Sequence, residues 1–226
     1  MVGALTLYQT TIGKKVVMAV TGLVLFAYVF VHMLGNLKVY SGPAYLNAYG
    51  VFLREVGYPL FAHESVLWIA RIVLLVSVGL HIWAAYQLTR VDLAGRPIHY
   101  ASRKHLAASF AARTMRWSGV ILGLFIVFHV LDLTTGTLHP GTFIEGDVYH
   151  NVTTSFGNPV VSLVYIVAQV ALALHLYHGV WSMSQTMGWR SAANNSLWKG
   201  FATVSAVIIA AGNISIPLAV LLGIVR

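Results

Sequence analysis

The segment 159–187 reads PVVSLVYIVAQVALALHLYHGVWSMSQTM and contains no charged residue. A run of roughly 20 mostly apolar residues is the length that one α-helix needs to cross the hydrocarbon core of a membrane. The segment also carries two histidines, His175 and His178, in its C-terminal half. Because polar residues inside a membrane are costly and tend to be functional, we predict a transmembrane helix that carries chemistry.

Four other segments are also long and apolar enough to be transmembrane helices. The five predicted spans cover residues 16–37, 66–89, 117–136, 159–187 and 200–225. Only 9% of the 226 residues are charged, against about 25% in an average soluble domain. We therefore predict an all-α membrane protein with a single domain over residues 1–226, four of whose five helices form a bundle. Residues 44–57 could form a short interfacial helix, and residues 137–158 are expected to be a loop.

Basic residues are distributed unevenly between the two sides of the predicted bundle. One side carries ten of them, namely Lys14, Lys15, Arg90, Arg96, Arg103, Lys104, Arg113, Arg116, Arg190 and Lys199. The other side carries four, namely Lys38, Arg54, Arg71 and Arg226. Since cytoplasmic loops hold the excess of Lys and Arg, we expect the N-terminus in the cytoplasm and the C-terminus outside. The net charge of +8 then describes a basic membrane face suited to a soluble partner or anionic lipid, and we expect no nucleic acid.

Five of the ten histidines lie within the predicted spans. His32 is in the first span, His81 in the second, His129 in the third, and His175 and His178 in the fourth. With a rise of about 1.5 Å per residue, His32 and His129 fall in the outer half of the membrane, and His81 and His175 in the inner half. Each pair joins alternate helices, which lie diagonally across an up-and-down bundle.

Two histidines that face each other at one level can ligate a haem iron, whereas a zinc ion needs three or four ligands. The chain has no cysteine, which excludes covalent haem and cysteine-ligated clusters. We therefore predict two b-type haems. His178 is the alternative fourth-span ligand, or it contacts a propionate or a quinone. Gly22, Gly119 and Gly123 could leave room for a haem, or Gly119 and Gly123 could simply let helices approach closely.

Each ligand histidine needs an acceptor for its second ring N–H, such as a carbonyl one turn back in its own helix. Haem propionates need cationic or hydrogen-bonding partners. Arg71 on the outer side, and Arg113 or Arg116 on the inner side, are candidates for this role. Arg71 could instead pair with Asp132.

These features together resemble the single-chain, dihaem cytochrome b subunit of bacterial succinate dehydrogenase and fumarate reductase, the membrane anchor of complex II. The resemblance covers nearly the whole chain. Besides the five helices, it rests on GKK at 13–15, FVHMLGNL at 30–37, GLH at 79–81, FH at 128–129 and HLYHGVWS at 175–182. The histidine four residues before Gly179 matches the fourth-helix ligand of the family, which favours His175 over His178.

The resemblance implies a path for electrons across the membrane. His81 and His175 would hold the proximal haem, near a cytoplasmic Fe–S subunit, and His32 and His129 would hold the distal haem. A flavoprotein subunit with FAD oxidises succinate, and electrons pass through the Fe–S subunit and the haems to a quinone, usually menaquinone. The chain would be a multi-pass anchor in the bacterial inner membrane, with no catalytic residue of its own, serving the respiratory chain and the tricarboxylic acid cycle. The reverse reaction, from quinol to fumarate, uses the same parts.

The quinone site has two possible places. In relatives an acidic residue of the first outer loop lies near the distal haem, and here Glu55 and Glu64 are available. Such a carboxylate could relay a proton to the reduced quinone, or it could be a solvated surface acid. An inner site would lie beside Arg116, Trp181 and Ser182, next to the Fe–S subunit.

Two other functions compete with this interpretation. A cytochrome b subunit of another respiratory complex, such as a hydrogenase or a formate dehydrogenase, would share the haems and bring a different partner. A proton-coupled transporter would be colourless and would have helices interrupted near the membrane midplane. Only Pro217 interrupts a predicted span, and that span carries no histidine.

Overall fold

The computed structural model describes residues 8–95 and 110–226, without the side chains of residues 110–113. All regular elements in these ranges are helices. In chain order they are α1 (Thr11–Asn36, followed by a 3₁₀ turn Leu37–Ser41), α2 (Pro43–Glu55), α3 (Ser65–Ala94), α4 (Phe110–His129, followed by a π turn Val130–Thr134), α5 (Val148–Phe156), α6 (Pro159–Thr186) and α7 (Asn195–Leu221).

Five of these helices, α1, α3, α4, α6 and α7, are long and apolar enough to cross a membrane. The predicted all-helical class and the five predicted spans are confirmed. Several helices begin before the predicted start, because polar residues continue the helix beyond its apolar part. Thus α1 begins at Thr11 instead of 16, where the side chain of Thr10 accepts a hydrogen bond of 3.0 Å from the backbone N–H of Gly13.

The two segments between spans on one side both contain a helix. The short helix predicted for residues 44–57 is confirmed as α2. The prediction of a loop for residues 137–158 was wrong in part, because α5 forms there. The carboxylate of Asp147 caps α5 by accepting a hydrogen bond of 2.9 Å from the backbone N–H of His150. A nine-residue helix is marginal alone, so α5 is stabilised by its packing against α2, α6, α7 and the π turn.

Helices α2 and α5 pack together at one end of the bundle, which we call the capped end. The side-chain amide of Asn47 on α2 donates to Asp147 over 2.9 Å and accepts from the backbone N–H of Tyr149 over 3.0 Å. The hydroxyl of Tyr149 donates to the carbonyl of Arg226 over 2.9 Å. The C-terminus therefore belongs to the capped end. We call the opposite end, which carries Lys14, Lys15, Arg90, Arg116, Arg190 and Lys199, the basic end.

The long helices pack so that diagonally opposite helices make little backbone contact. Helix α1 packs against α3 and α6, α4 packs against α6, and α7 packs against α6 and α1. Within the described ranges, neither α1 with α4 nor α3 with α6 makes extensive backbone contact, and neither does α3 with α4. The histidine-bearing helices therefore meet across the diagonals through side chains.

Candidate functional site

The structure brings four half-buried histidines together as two pairs. Near the capped end, the ring centroids of His32 on α1 and His129 on α4 are 5.9 Å apart, with an interplanar angle of 83°. Nearer the basic end, the ring centroids of His81 on α3 and His175 on α6 are 6.2 Å apart, at 57°. The pairs join alternate spans, as the depth of each histidine in the sequence indicated.

The separation within each pair fits a metal ion between the rings. Metal–imidazole nitrogen bonds are about 2 Å long, so two imidazoles on opposite sides of one iron have centroids roughly 6 Å apart. Both observed separations have this value. Within the described residues there is no group of three or more His, Asp or Glu side chains arranged to hold a metal ion. The arrangement present is two histidines at each of two levels.

The hydrogen bonds of the basic-end pair leave one ring nitrogen of each histidine available. Nδ1 of His81 lies 3.1 Å from the carbonyl oxygen of Met18, to which its N–H donates. Nδ1 of His175 lies 3.3 Å from Oγ of Ser118, whose own hydroxyl donates to the carbonyl of Met115 over 3.0 Å. A proton on Nδ1 leaves the lone pair of Nε2 free for a metal. The expected acceptor one turn back in the same helix was wrong, since α1 and α4 supply the acceptors.

The two histidines of the capped-end pair are held differently. Nδ1 of His129 lies 3.2 Å from the hydroxyl oxygen of Tyr165 on α6. His32 stacks on the ring of Tyr28, one turn earlier in α1, with centroids 5.2 Å apart. Its ring nitrogens have no hydrogen-bond partner among the residues that the structure describes. Nε2 of His129 and both ring nitrogens of His32 are thus available to a ligand.

Asp132 is fully buried beside the capped-end pair. It lies in the π turn after His129, and its carboxylate accepts hydrogen bonds from Tyr165, Ser155 and His139. The suggested pairing of Asp132 with Arg71 was therefore wrong. The π turn directs Asp132 into the bundle, whereas Arg71 is exposed on α3, where its guanidinium lies 4.8 Å from the ring centroid of Trp68.

Two of the three glycines named above lie directly against histidine rings. A Cβ atom added to Gly22 would lie 3.3 Å from Cε1 of His81, and one added to Gly119 would lie 3.6 Å from Cε1 of His175. A Cβ atom added to Gly123 would meet nothing within 4 Å. Gly22 and Gly119 let the rings approach the helix backbone, and Gly123 borders open space. Close contact between helix backbones is not what these glycines provide in the described structure.

A cavity of about 140 Å³ lies beside His32 and His129 at the capped end. Its polar lining comes from Asn36, Thr134 and Asn151, and residues of α2 and α5 contribute part of its apolar lining. The amide of Asn151 is already bonded to the backbone of the α4–α5 loop. That of Asn36 has no partner among the described residues. Sequence reasoning missed Asn36, although its position four residues after His32 places it on the same helix face.

The two acidic residues suggested for an outer quinone site do not line this cavity. Glu64 forms an ion pair of 3.3 Å with Arg54, and both side chains are about 40% exposed. Glu55 is exposed at the C-terminal end of α2. The structure thus places both at the surface of the capped end.

The arginines suggested for the inner propionates are in part engaged elsewhere. Nη2 of Arg116 donates to Oδ2 of Asp92 over 2.6 Å, which ties the start of α4 to the end of α3. The side chain of Arg113 lies outside the described residues.

The basic end of α6 carries the residues suggested for an inner quinone site. Nδ1 of His178 is buried without a hydrogen-bond partner among the described residues, and its ring centroid lies 6.5 Å from that of Trp181. The indole of Trp181 donates to Asn195 over 3.2 Å and carries the guanidinium of Arg190 4.6 Å from its centroid. Ser182 is half-buried next to Trp181. His178 therefore packs beside Trp181, and the histidine that faces His81 is His175.

Comparison of the chain with models of known protein families, with curated proteins and with solved structures gives no match.

Proposed function

We propose that this protein is the dihaem cytochrome b anchor subunit of a succinate:quinone oxidoreductase, and that it carries electrons from an Fe–S subunit to a membrane quinone. The observation that supports the proposal is that four histidines form two pairs. They lie on diagonal helices, at two levels, with centroid separations of 5.9 and 6.2 Å that match two imidazoles around one iron.

In this proposal His81 and His175 hold the proximal haem, and His32 and His129 hold the distal haem. When bound, each haem supplies reversible one-electron oxidation and reduction. Met18 and Ser118 keep the Nδ1 proton on the proximal ligands and thereby present Nε2 to the iron. Tyr165 does the same for His129.

The cavity at the capped end is the proposed quinone site. It is smaller than the pockets of roughly 300–1,000 Å³ that enclose drug-sized ligands, so it would take the quinone ring and leave the isoprenoid tail among the lipids. The amide of Asn36 can hydrogen-bond a quinone carbonyl at the edge of the pair formed by His32 and His129. Menaquinone is the expected substrate. The inner alternative, beside His178 and Trp181, remains the competing position.

The partners follow from the charge of the two ends. The basic end gathers Lys14, Lys15, Arg90, Arg190 and Lys199, and cytoplasmic ends of membrane proteins carry this excess of positive charge. We propose that this end faces the cytoplasm of a bacterium and docks the Fe–S subunit, behind which lies the FAD-bearing flavoprotein subunit. Opposite charge on the partner would speed and orient that docking.

A proton-coupled transporter is less well supported by the helices. Substrate sites in such proteins are typically built where helices are broken near the midplane. Here α1, α3 and α6 run without interruption past His32, His81 and His175, and the π turn of α4 begins only after His129.

Purification of the tagged chain from its native membrane tests the proposal and separates it from other respiratory cytochromes. We expect a subunit with covalent flavin and an Fe–S subunit to co-purify, and succinate to reduce the haems and a menaquinone analogue. A haem-containing complex that is reduced by hydrogen or formate and not by succinate would contradict the proposal. The His178→Ala variant is a matched control, and it should retain haem reduction by succinate.

A further inference from the structure

We infer that Asp132 and Tyr165 form a positioning chain that orients His129 and sets the midpoint potential of the distal haem. The inference rests on the proposed function, because it requires a haem at His32 and His129.

The chain is a continuous run of hydrogen bonds that ends at the proposed ligand. Tyr165 donates its hydroxyl proton to Oδ2 of Asp132 over 2.6 Å. Its oxygen is then an acceptor for the N–H at Nδ1 of His129, 3.2 Å away. Since a hydroxyl has one proton and two lone pairs, this is the arrangement in which both contacts are satisfied. Asp132 thus acts on His129 through Tyr165.

Both members of the chain are held rigidly in the interior. Asp132 has no exposed surface, and Tyr165 is only 6% exposed. The ring of Tyr165 lies between Phe125 and Phe156, at centroid distances of 5.0 and 4.7 Å. Ser155 also donates to the carboxylate, over 2.8 Å. A buried carboxylate is costly within a membrane protein and is usually retained for a function.

Of the other candidate ligands, His32 has no hydrogen bond among the described residues, and His81 and His175 are connected to neutral acceptors only. His81 donates to a backbone carbonyl, and His175 lies against the hydroxyl of Ser118. Among the described residues, His129 is the ligand whose hydrogen bonds lead to a carboxylate. An acceptor that is strengthened by a carboxylate draws the Nδ1 proton away from the ring and makes Nε2 a stronger donor to iron. Stronger donation favours the ferric state, so the chain lowers the potential of the distal haem.

Redox titration of the purified complex with Tyr165→Phe tests the inference. We expect a positive shift in the midpoint potential of the distal haem and a change in its low-spin electron paramagnetic resonance signal, with the proximal haem unchanged. Asp132→Asn should shift the distal haem in the same direction while keeping a side chain of the same shape, which covers the case in which Tyr165→Phe fails to fold. Ser118→Ala is the matched control, and it should leave the distal haem unchanged.

The possible outcomes separate this inference from the proposed function. Two haems per chain with an unchanged distal potential in both variants would overturn the inference and leave the proposed function intact. Lower thermal stability with unaltered potentials would assign Asp132 and Tyr165 a structural role only, and it would also overturn the inference. A wild-type protein without haem would instead contradict the proposed function.

Discussion

Three of the four candidate ligand histidines are held at Nδ1 and open at Nε2, and the fourth is held by stacking. His81, His129 and His175 each use Nδ1 for a hydrogen bond to a neighbouring helix. His32 has no such bond and stacks on Tyr28. Fixing one ring nitrogen decides the tautomer and the direction of the other, which is the requirement for binding a metal.

Replacement of single histidines should remove one haem at a time. We expect His81→Leu or His175→Leu to lose the proximal haem and His32→Leu or His129→Leu to lose the distal haem, because an iron held by one imidazole lacks its second protein ligand. Haem content and the low-spin spectrum of the purified protein measure the effect. His178→Leu is the control and should keep both haems. Retention of both haems by all four ligand variants would show the assignment to be wrong.

Gly22 should be required for the basic-end pair. Its Cβ position is 3.3 Å from the ring of His81, so Gly22→Leu must displace that ring. Overpacking costs a free energy of about 1–3 kcal/mol, which would weaken binding of the proximal haem by roughly 5–150-fold. Haem content measures the change, and Gly79→Leu is the control, since a Cβ at Gly79 meets nothing within 4 Å. Equal haem content in the two variants would contradict this role.

At the scale of helices, the predictable features are those that depend on local pattern. Apolar length indicated the five spans, and helix rise indicated which histidines share a level. The capping helix α5 was not predicted, because a nine-residue segment owes its structure to packing against helices that are distant in sequence. The partners of Asp132 were not predicted for a similar reason. The π turn changes the direction of that side chain, and no feature of the local sequence indicates the turn.

Helix α2 is held against α1 at Gly35. A Cβ atom added there would lie 2.6 Å from the ring of Tyr49 on α2. We expect Gly35→Val to push α2 outward and to lower the free energy of unfolding by about 1–3 kcal/mol. Because α2 lines the cavity, the variant should raise the KM for quinone more than it lowers kcat. Thermal unfolding and steady-state kinetics measure these effects. Gly141→Val, at a site with no neighbour within 4 Å, should change neither quantity.

The capped end should loosen in acid. The backbone N–H of His150, together with the amide of Asn47, lowers the pKa of Asp147 below the ordinary value of 3.8. A carboxyl whose pKa is lowered by folding contributes stability above its ordinary value, and this contribution is lost as the pH falls through the lowered pKa. Loss of the cap costs about 1 kcal/mol.

Limited proteolysis of the segment between α4 and α5 as a function of pH checks this expectation. Cleavage should increase as the pH falls below the ordinary aspartate pKa of 3.8 and Asp147 becomes protonated. The Asp147→Asn variant should lack that pH dependence. The same pH dependence in the variant and the wild type would exclude Asp147 as its origin.

At the scale of the whole molecule, the diagonally opposite helices make little backbone contact, and the two ends of the bundle differ in structure and charge. Helix α1 packs closely against α3 and α6, and α4 packs closely against α6, while the diagonal pairs meet through imidazole rings. The sequence was sufficient to predict which histidines pair. It was not sufficient to find the cavity beside His32, because the lining comes from α1, the π turn, α2, α5 and α7, which are distant in sequence.

The measurement that tests the central claim most directly is the dithionite-reduced-minus-oxidised spectrum of the purified protein, combined with pyridine haemochrome quantification. We predict two protohaems per chain with the bands of low-spin b-type cytochromes, since each iron would have two imidazole ligands. A folded preparation that contains no haem would contradict the account.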